Sequence, residues 1–323
     1  MARTTPGGRR ARRRAAAALT ALVAVVALAA PAWAYTEVAY ARRGTTMTES
    51  PPGSIGSVRA TLVLENLAAG DVRLLRAQSV TYRGTPDRNA LAQKITCEKP
   101  DGTIVSESWT GTNLLAVNGL QPLAQRLLFV APAAGTYYCR ERIYVNSHYA
   151  QPARATLYSA FVGDVAGPVA AEKVIPATPL RGAVVFFSGT DTTAHRVLPI
   201  SRYLPPAGAT RLQVRNDVFF TNCYGSGGAG CPRGSFPPSG KSTYTHQAFL
   251  VPSSPACPVA STTRVTRTFD YLLHHQGGSL DVVAPLPAGG CGSWSSYVVV
   301  RRVSGLPFVV QLYPYSQAFM YAS

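Results

Sequence analysis

The sequence predicts an all-β protein: two tandem, disulfide-pinned β-sandwich domains behind a cleaved signal peptide. Three observations carry this. Short runs alternate apolar and polar residues with the period of two that a half-buried strand needs, and Pro or Gly interrupts every candidate helical period. All six cysteines (Cys97, Cys139, Cys223, Cys231, Cys257 and Cys291) lie beyond residue 34, and an even number in an exported chain argues for disulfides. The stretch from Phe129 to Arg140 reads as a strand end, a Pro/Gly corner and a cysteine-bearing strand, and a blurred copy returns from Val282 to Cys291. Two such corners imply one β-unit used twice.

The first 34 residues set the compartment. Arg9-Arg10-Ala11-Arg12-Arg13-Arg14 is a basic n-region, Ala15 to Ala30 an apolar run, and Ala32-Trp33-Ala34 a small-residue cleavage site that leaves Tyr35 as the new N-terminus. The apolar run is shorter than the ~20 residues that span a bilayer core. The expected product is secreted, held at the cell wall only by non-covalent contacts, with no transmembrane anchor after cleavage. Loss of six leader arginines lowers Lys+Arg from 31 to 25 against 15 acids, so the mature chain carries about +10 instead of +16. Scarce lysine among abundant Ala, Pro and Gly fits the bias of a GC-rich, actinobacterial genome. The excess charge fits an arginine-rich solvated surface, or attraction to anionic envelope polymers.

The first domain is expected over residues 35–165. Val58, Ala60, Leu62 and Leu64 share one strand face, and Val72 to Tyr82 follows as a second strand. Ala90 to Glu98 ends at Cys97, and Lys99-Pro100-Asp101-Gly102 is hairpin chemistry, because Pro presets φ and Gly accepts the reversed one. Thr103 to Trp109 returns, and Arg126 to Val130 enters the corner. Beyond it, Tyr137, Cys139, Ile143 and Val145 face inward, while Tyr138, Arg140, Arg142 and Tyr144 face outward. Glu141 falls on the inward face, so it is expected near an exposed strand end or beside an arginine.

The order Cys97, Trp109, Cys139 and the run Ala134-Gly135-Thr136-Tyr137-Tyr138-Cys139 resemble an immunoglobulin-like domain over about 45 residues. The resemblance implies a Cys97–Cys139 bridge with Trp109 packed on it, and a tyrosine-corner role for Tyr137. It implies no function, because such sandwiches host many.

Residues 166–182, with Pro168, Pro176 and Pro179, read as a semi-rigid linker. Strand-like runs resume in a second domain over 183–323. Matching the two corners gives Cys291 the part of Cys139, with Cys257 as its partner, and leaves Cys223 and Cys231 to close a glycine-rich loop. The alternative pairs Cys223 with Cys257 and Cys231 with Cys291.

The residues offer no assembled chemistry. Gly240-Lys241-Ser242-Thr243 lacks the leading glycine of a phosphate-binding loop, since position 235 is Ser235, so no nucleotide is expected. No C-x-x-C and no histidine at ligand spacing from a cysteine argues for metal, and no cofactor is implied. His274 and His275 are adjacent on an expected strand, which directs them to opposite faces. Two features can bind something. The Tyr138-Arg140-Arg142-Tyr144 face sets aromatic rings beside planar cations that stack on sugars or clamp anions. The 223–231 loop is stapled and nearly free of side chains. The expectation is a non-enzymatic binding or structural protein of the envelope or extracellular space, with an anionic cell-wall polymer, a carbohydrate or a surface protein as partner. The alternatives are an extracellular hydrolase with a loop-borne site in the second domain, and a secreted inhibitor or adhesin.

Overall fold

Period-two burial is plainest in Lys241–Pro252, where Ser242, Tyr244, His246, Ala248 and Leu250 are buried and the residues between them reach the surface. The same alternation shapes the rest of the computed structural model, which describes residues 37–40, 45–51, 54–83, 89–114, 120–147, 154–177, 181–226, 230–288 and 290–323. The expected leader, 1–34, lies outside these.

The first half forms strands β1 (Glu37–Tyr40), β2 (Thr45–Thr48), β3 (Ser57–Leu67), β4 (Val72–Arg83), β5 (Asn89–Glu98), β6 (Ile104–Leu114), β7 (Leu120–Val130), β8 (Gly135–Ser147) and β9 (Arg154–Val169). They pair as two sheets, β1-β9-β4-β7 with β2 also on β9, and β3-β8-β5-β6. This is jelly-roll order: strands alternate between the sheets in two interleaved Greek keys. The second half forms β10 (Val174–Pro176), β11 (Val184–Phe187), β12 (Ala194–Tyr203), β13 (Arg211–Asn222), β14 (Lys241–Pro252), β15 (Ala260–Ser261), β16 (Val265–Asp270), β17 (His275–Pro285), β18 (Trp294–Gly305), β19 (Phe308–Gln311) and β20 (Gln317–Ala322). Here β20 and β17 flank β13 in one sheet, and β12-β18-β14 with β15 and β16 form the other. It is the same jelly roll again.

The two corners occupy equivalent places. Ala131–Ala134 joins β7 to β8, and Leu286–Ser293 joins β17 to β18, the same connection in each roll. Their bridges are equivalent too. Cys97 at the end of β5 reaches Cys139 on β8, and Cys257 just beyond β14 reaches Cys291 just before β18. Cys223–Cys231 is the third bridge. The immunoglobulin resemblance holds at the corner, where the Tyr137 hydroxyl donates to the Ala133 carbonyl at 2.7 Å, and does not extend to the order of the strands. Cys97 and Cys139 are direct cross-strand neighbours within one sheet.

Within 166–182, β9 continues to Val169, a 3₁₀ turn spans Ala171–Lys173, and β10 pairs with β20 of the second roll. The C-terminal strand β20 lies between β10 and β13. The two rolls lie within one compact unit, Thr36–Ser323. Leu74 of the first packs with Phe319 and Tyr321 of the second.

The second roll has one continuous core, centred on Phe220, Tyr244, Phe308 and Val298. The first is split. Leu91, Ile143 and Val145 belong to one apolar cluster, and Ile95, Cys97 and Cys139 to another. Strand register places Gln93 and Glu141 between them, on the same inward faces. Gln93 accepts from Ser79 Oγ at 2.7 Å. Glu141, fully buried, has no hydrogen-bond partner among the described residues for either carboxylate oxygen. It does not meet the expected arginine, because its strand neighbours Arg140 and Arg142 point the other way; burial pushes the Glu141 carboxyl well above its usual range.

Candidate functional site

Strand β6 is an edge of the first roll, and its unpaired backbone is met by the second. The Trp109 N–H donates to the Pro314 carbonyl at 2.8 Å, the His275 N–H to Asn113 Oδ1 at 2.9 Å, and Gln317 Nε2 to the Glu107 carbonyl at 2.8 Å. Arg126 of β7 completes the junction, with ion pairs to Asp217 at 2.5 Å and to Asp281 at 2.6 Å. Burial pulls the Arg126 guanidinium down, but Asp217 and Asp281 together hold it above its ordinary value.

Beside these contacts the rolls leave a cleft of about 350 Å³, near the lower end of the ~300–1,000 Å³ range of small-ligand sites. Trp109 and Tyr315 line it, with ring centroids 5.1 Å apart and edge to face, and Phe219 stacks behind Tyr315 at 5.3 Å. Gly111, Gly277 and Gly278 contribute backbone alone. Their glycines answer to close packing: a Cβ on Gly277 would lie 2.5 Å from Thr110 Oγ1, and one on Gly111 2.9 Å from the Leu91 carbonyl. Gln125, 2% exposed, donates to Ser108 Oγ at 2.5 Å, while its Oε1 has no hydrogen-bond partner; Gln276 Oε1 has none either. Asp217, the carboxylate in the lining, is held by Arg126 and by Ser279 Oγ at 2.6 Å.

Trp109 belongs to two features at once. Its other neighbour is Lys94, directly across on β5, whose Nζ lies 3.7 Å from the indole centroid and 5.3 Å from the Tyr144 centroid. The result is a run Tyr315–Trp109–Lys94–Tyr144 from the junction across the outer face of the β3-β8-β5-β6 sheet. Lys94 is 4% exposed. Burial brings its amine down to about 8, with Glu107 opposing the shift and Arg142 adding to it. Glu107 accepts from Trp109 Nε1 at 2.8 Å and pairs with Arg181 of the second half.

The outward face expected from sequence, Tyr138, Arg140, Arg142 and Tyr144, continues this run. Both arginines converge on Glu98 of β5, and Arg142 Nε also donates to Thr96 Oγ1 at 3.0 Å. Burial pushes the Glu98 carboxyl up, but Thr96, Arg142 and Arg140 together hold it below its usual value. Arg140 also sits 5.3 Å from the Tyr138 ring. Trp109 does not pack on the Cys97–Cys139 bridge: it stands opposite Lys94, on the face turned away from the cysteines.

The remaining features lie apart. The Cys223–Cys231 loop is anchored by Gly230 against Gln311, and residues 227–229 are outside the described set, as is His148. His195 contacts Asp191 at 2.8 Å and Thr193 at 2.9 Å, both through Nε2. His246 is buried with neither ring nitrogen hydrogen-bonded. His274 and His275 do not diverge: their rings are 4.1 Å apart, because His274 precedes β17 and escapes strand alternation. Gln276, Gly277 and Gly278, which no sequence signal singles out, lie in β17, with the glycines in register with Val218 and Phe219 of β13.

No protein-family model and no curated protein matches the chain. Among solved structures, the N-terminal CBM22-1–CBM22-2 tandem domain of Paenibacillus barcinonensis Xyn10C aligns at 11% identity over 88% of this chain and 93% of that one, with a TM-score of 0.24. PNGase F, a glycosylasparaginase from Flavobacterium meningosepticum, aligns at 13% identity over 87% and 96%, with a TM-score of 0.34. The infectious bursal disease virus Gx strain structure aligns at 8% identity over 89% and 67%, with a TM-score of 0.26. Likeness at these scores assigns no function.

Proposed function

We propose that this protein is an extracellular carbohydrate-binding protein whose primary site is the cleft between the rolls. The observation that carries the reading is the edge-to-face pair of Trp109 and Tyr315 rings in a cleft whose lining includes the bare backbone of Gly111, Gly277 and Gly278. Aromatic faces stack on the C–H faces of sugar rings, and glycine backbone lets a ligand approach closely. The three disulfides support a place outside the cytosol, and no helix among the described residues is long and apolar enough to cross a membrane.

Beyond the cleft the ligand runs over Trp109 toward Tyr144, Arg142, Arg140 and Tyr138. Those arginines are tied to Glu98, so this face contributes ring surface and fixed hydrogen-bond donors more than net charge. A polymer is the fitting ligand, because the cleft takes a short segment and the face continues it.

Trp109 supplies its own reporter. Beyond residue 34 the only other tryptophan is Trp294, which is 1% exposed. Titration with defined neutral oligosaccharides is expected to change Trp109 fluorescence, and Trp109→Ala to abolish binding while Trp294 emission stays constant. Binding unaltered by Trp109→Ala and by Tyr315→Ala would exclude the cleft.

A further inference from the structure

We propose a second site, separate from the cleft: the outer face of the β12-β18-β14 sheet of the second roll, which takes an acidic polysaccharide. Among the described residues of β12, β14, β15, β16 and β18 there is a single carboxylate, Asp270 at the end of β16, and its Oδ1 accepts the N–H groups of Leu272 at 3.0 Å and Leu273 at 2.8 Å. Against it stand Arg196 and Arg301 on the outer face, both exposed, with Arg202, Lys241 and Arg264 exposed around the sheet. The equivalent sheet of the first roll neutralises its outward arginines with Glu98. This one does not.

Register turns that charge into a pattern. On β18, Tyr297, Val299 and Arg301 follow one another along the outer face, each ~7 Å from the next. Phe249 stands opposite Tyr297 on β14, with the two rings stacked at 5.5 Å and 29° apart. Arg196 stands opposite Val299 on β12, its guanidinium 4.3 Å from the Tyr297 centroid. Gln247 and Thr245 complete the grid opposite Val299 and Arg301. The single hydrogen bond of Arg301 among the described residues runs from Nε to the Thr192 carbonyl at 2.9 Å.

Phe249, Tyr297 and the Arg196 guanidinium stack in that order across β14, β18 and β12, so Tyr297 holds Arg196 in place. Arg196 and Arg301 occupy diagonal positions on β12 and β18, and each guanidinium offers planar, bidentate recognition of a carboxylate. Threonine and glutamine side chains between them suit sugar hydroxyls. Charge complementarity selects an acidic polymer over a neutral one, and the regular spacing of arginine, threonine and glutamine along the strands suits the repeating carboxylates and hydroxyls of a polysaccharide.

The test is retention on immobilised polygalacturonate at low salt, with dextran, a short single-stranded oligonucleotide and anionic vesicles as competing probes. Arg196→Glu with Arg301→Glu is expected to weaken polygalacturonate binding about tenfold or more, and Tyr297→Thr to weaken it with both arginines intact. Trp109→Ala is expected to leave it unchanged. Retention unaffected by the double reversal overturns the proposal, as does equal retention on dextran, insensitivity to Tyr297→Thr, or tighter binding of the oligonucleotide or vesicles. Loss in Trp109→Ala alone would likewise overturn it and leave the cleft reading standing. Because the reversed arginines are exposed, that variant tests the site even where Tyr297→Thr disturbs the fold.

Discussion

The Lys94 ammonium lies 3.7 Å from the Trp109 ring centroid, beneath the face along which the two rolls meet. Its amine is brought down to about 8 by burial, from 10.5. The folded chain therefore releases a proton between pH 8 and 10.5 that the unfolded chain keeps, and stability rises with pH across that window by up to ~1.4 kcal/mol per unit. Urea unfolding of the parent and of Lys94→Met at pH 8 and 10 is expected to show this slope in the parent and its loss in the variant.

His246 behaves alike at lower pH. Burial, assisted by Arg267, brings its imidazole down to about 4, and it packs neutral between Phe220 and Tyr244. The unfolded chain protonates it first, so its contribution is lost as pH falls from 6.5 toward 4. Replacement by phenylalanine removes a titration without removing a hydrogen bond. His246→Phe is expected to flatten the acid limb of the stability profile by up to ~1.4 kcal/mol per unit between those values, measured by denaturant midpoints.

Glu141 has the opposite sign. Its folded carboxyl titrates well above the ordinary range, so stability is fully present only below the unfolded value, near 4.5, and declines as pH rises. Glu141→Gln keeps the shape and removes the charge. It is expected to stabilise the protein at pH 7 by roughly 1–3 kcal/mol, with the advantage vanishing at pH 4; thermal unfolding at the two pH values separates this from a general packing effect.

Arg126 joins the rolls through Asp217 and Asp281, and Arg215 also pairs with Asp281. Arg126→Met leaves Asp217 and Asp281, neighbours on β13 and β17 of the second roll, without their partner from the first. A loss of about 3 kcal/mol is expected in urea unfolding, with Arg126→Lys intermediate, because lysine restores charge without the fork that reaches both acids. An unchanged midpoint would mean that the apolar contacts of Leu74 and the β6 hydrogen bonds hold the junction without Arg126.

Much of this was legible in the residues. Period two sorts Tyr137, Cys139 and Ile143 from Tyr138, Arg140 and Arg142, and both corners announced a repeated unit. Where the reading departed, a neighbour was missing. The immunoglobulin resemblance sets Trp109 on the disulfide, but strand register pairs it with Lys94 on the opposite face. Glu141 was expected to meet an arginine, but the nearest arginines in sequence lie on the opposite face. Gly277-Gly278 gives no sequence signal of its place in β17, because a strand segment with no side chains shows no period.

The sequence by itself determined the class of fold, that the six cysteines form disulfides and which side of each strand is apolar, because these follow from composition and spacing along one chain. Tertiary structure decided the jelly-roll order, the cleft at Trp109 and Tyr315, and which arginines are neutralised. Each depends on which strands lie side by side. Glu98 and Arg140 are 42 residues apart, and Arg126 and Asp217 are 91 apart; no local periodicity contains such a pairing.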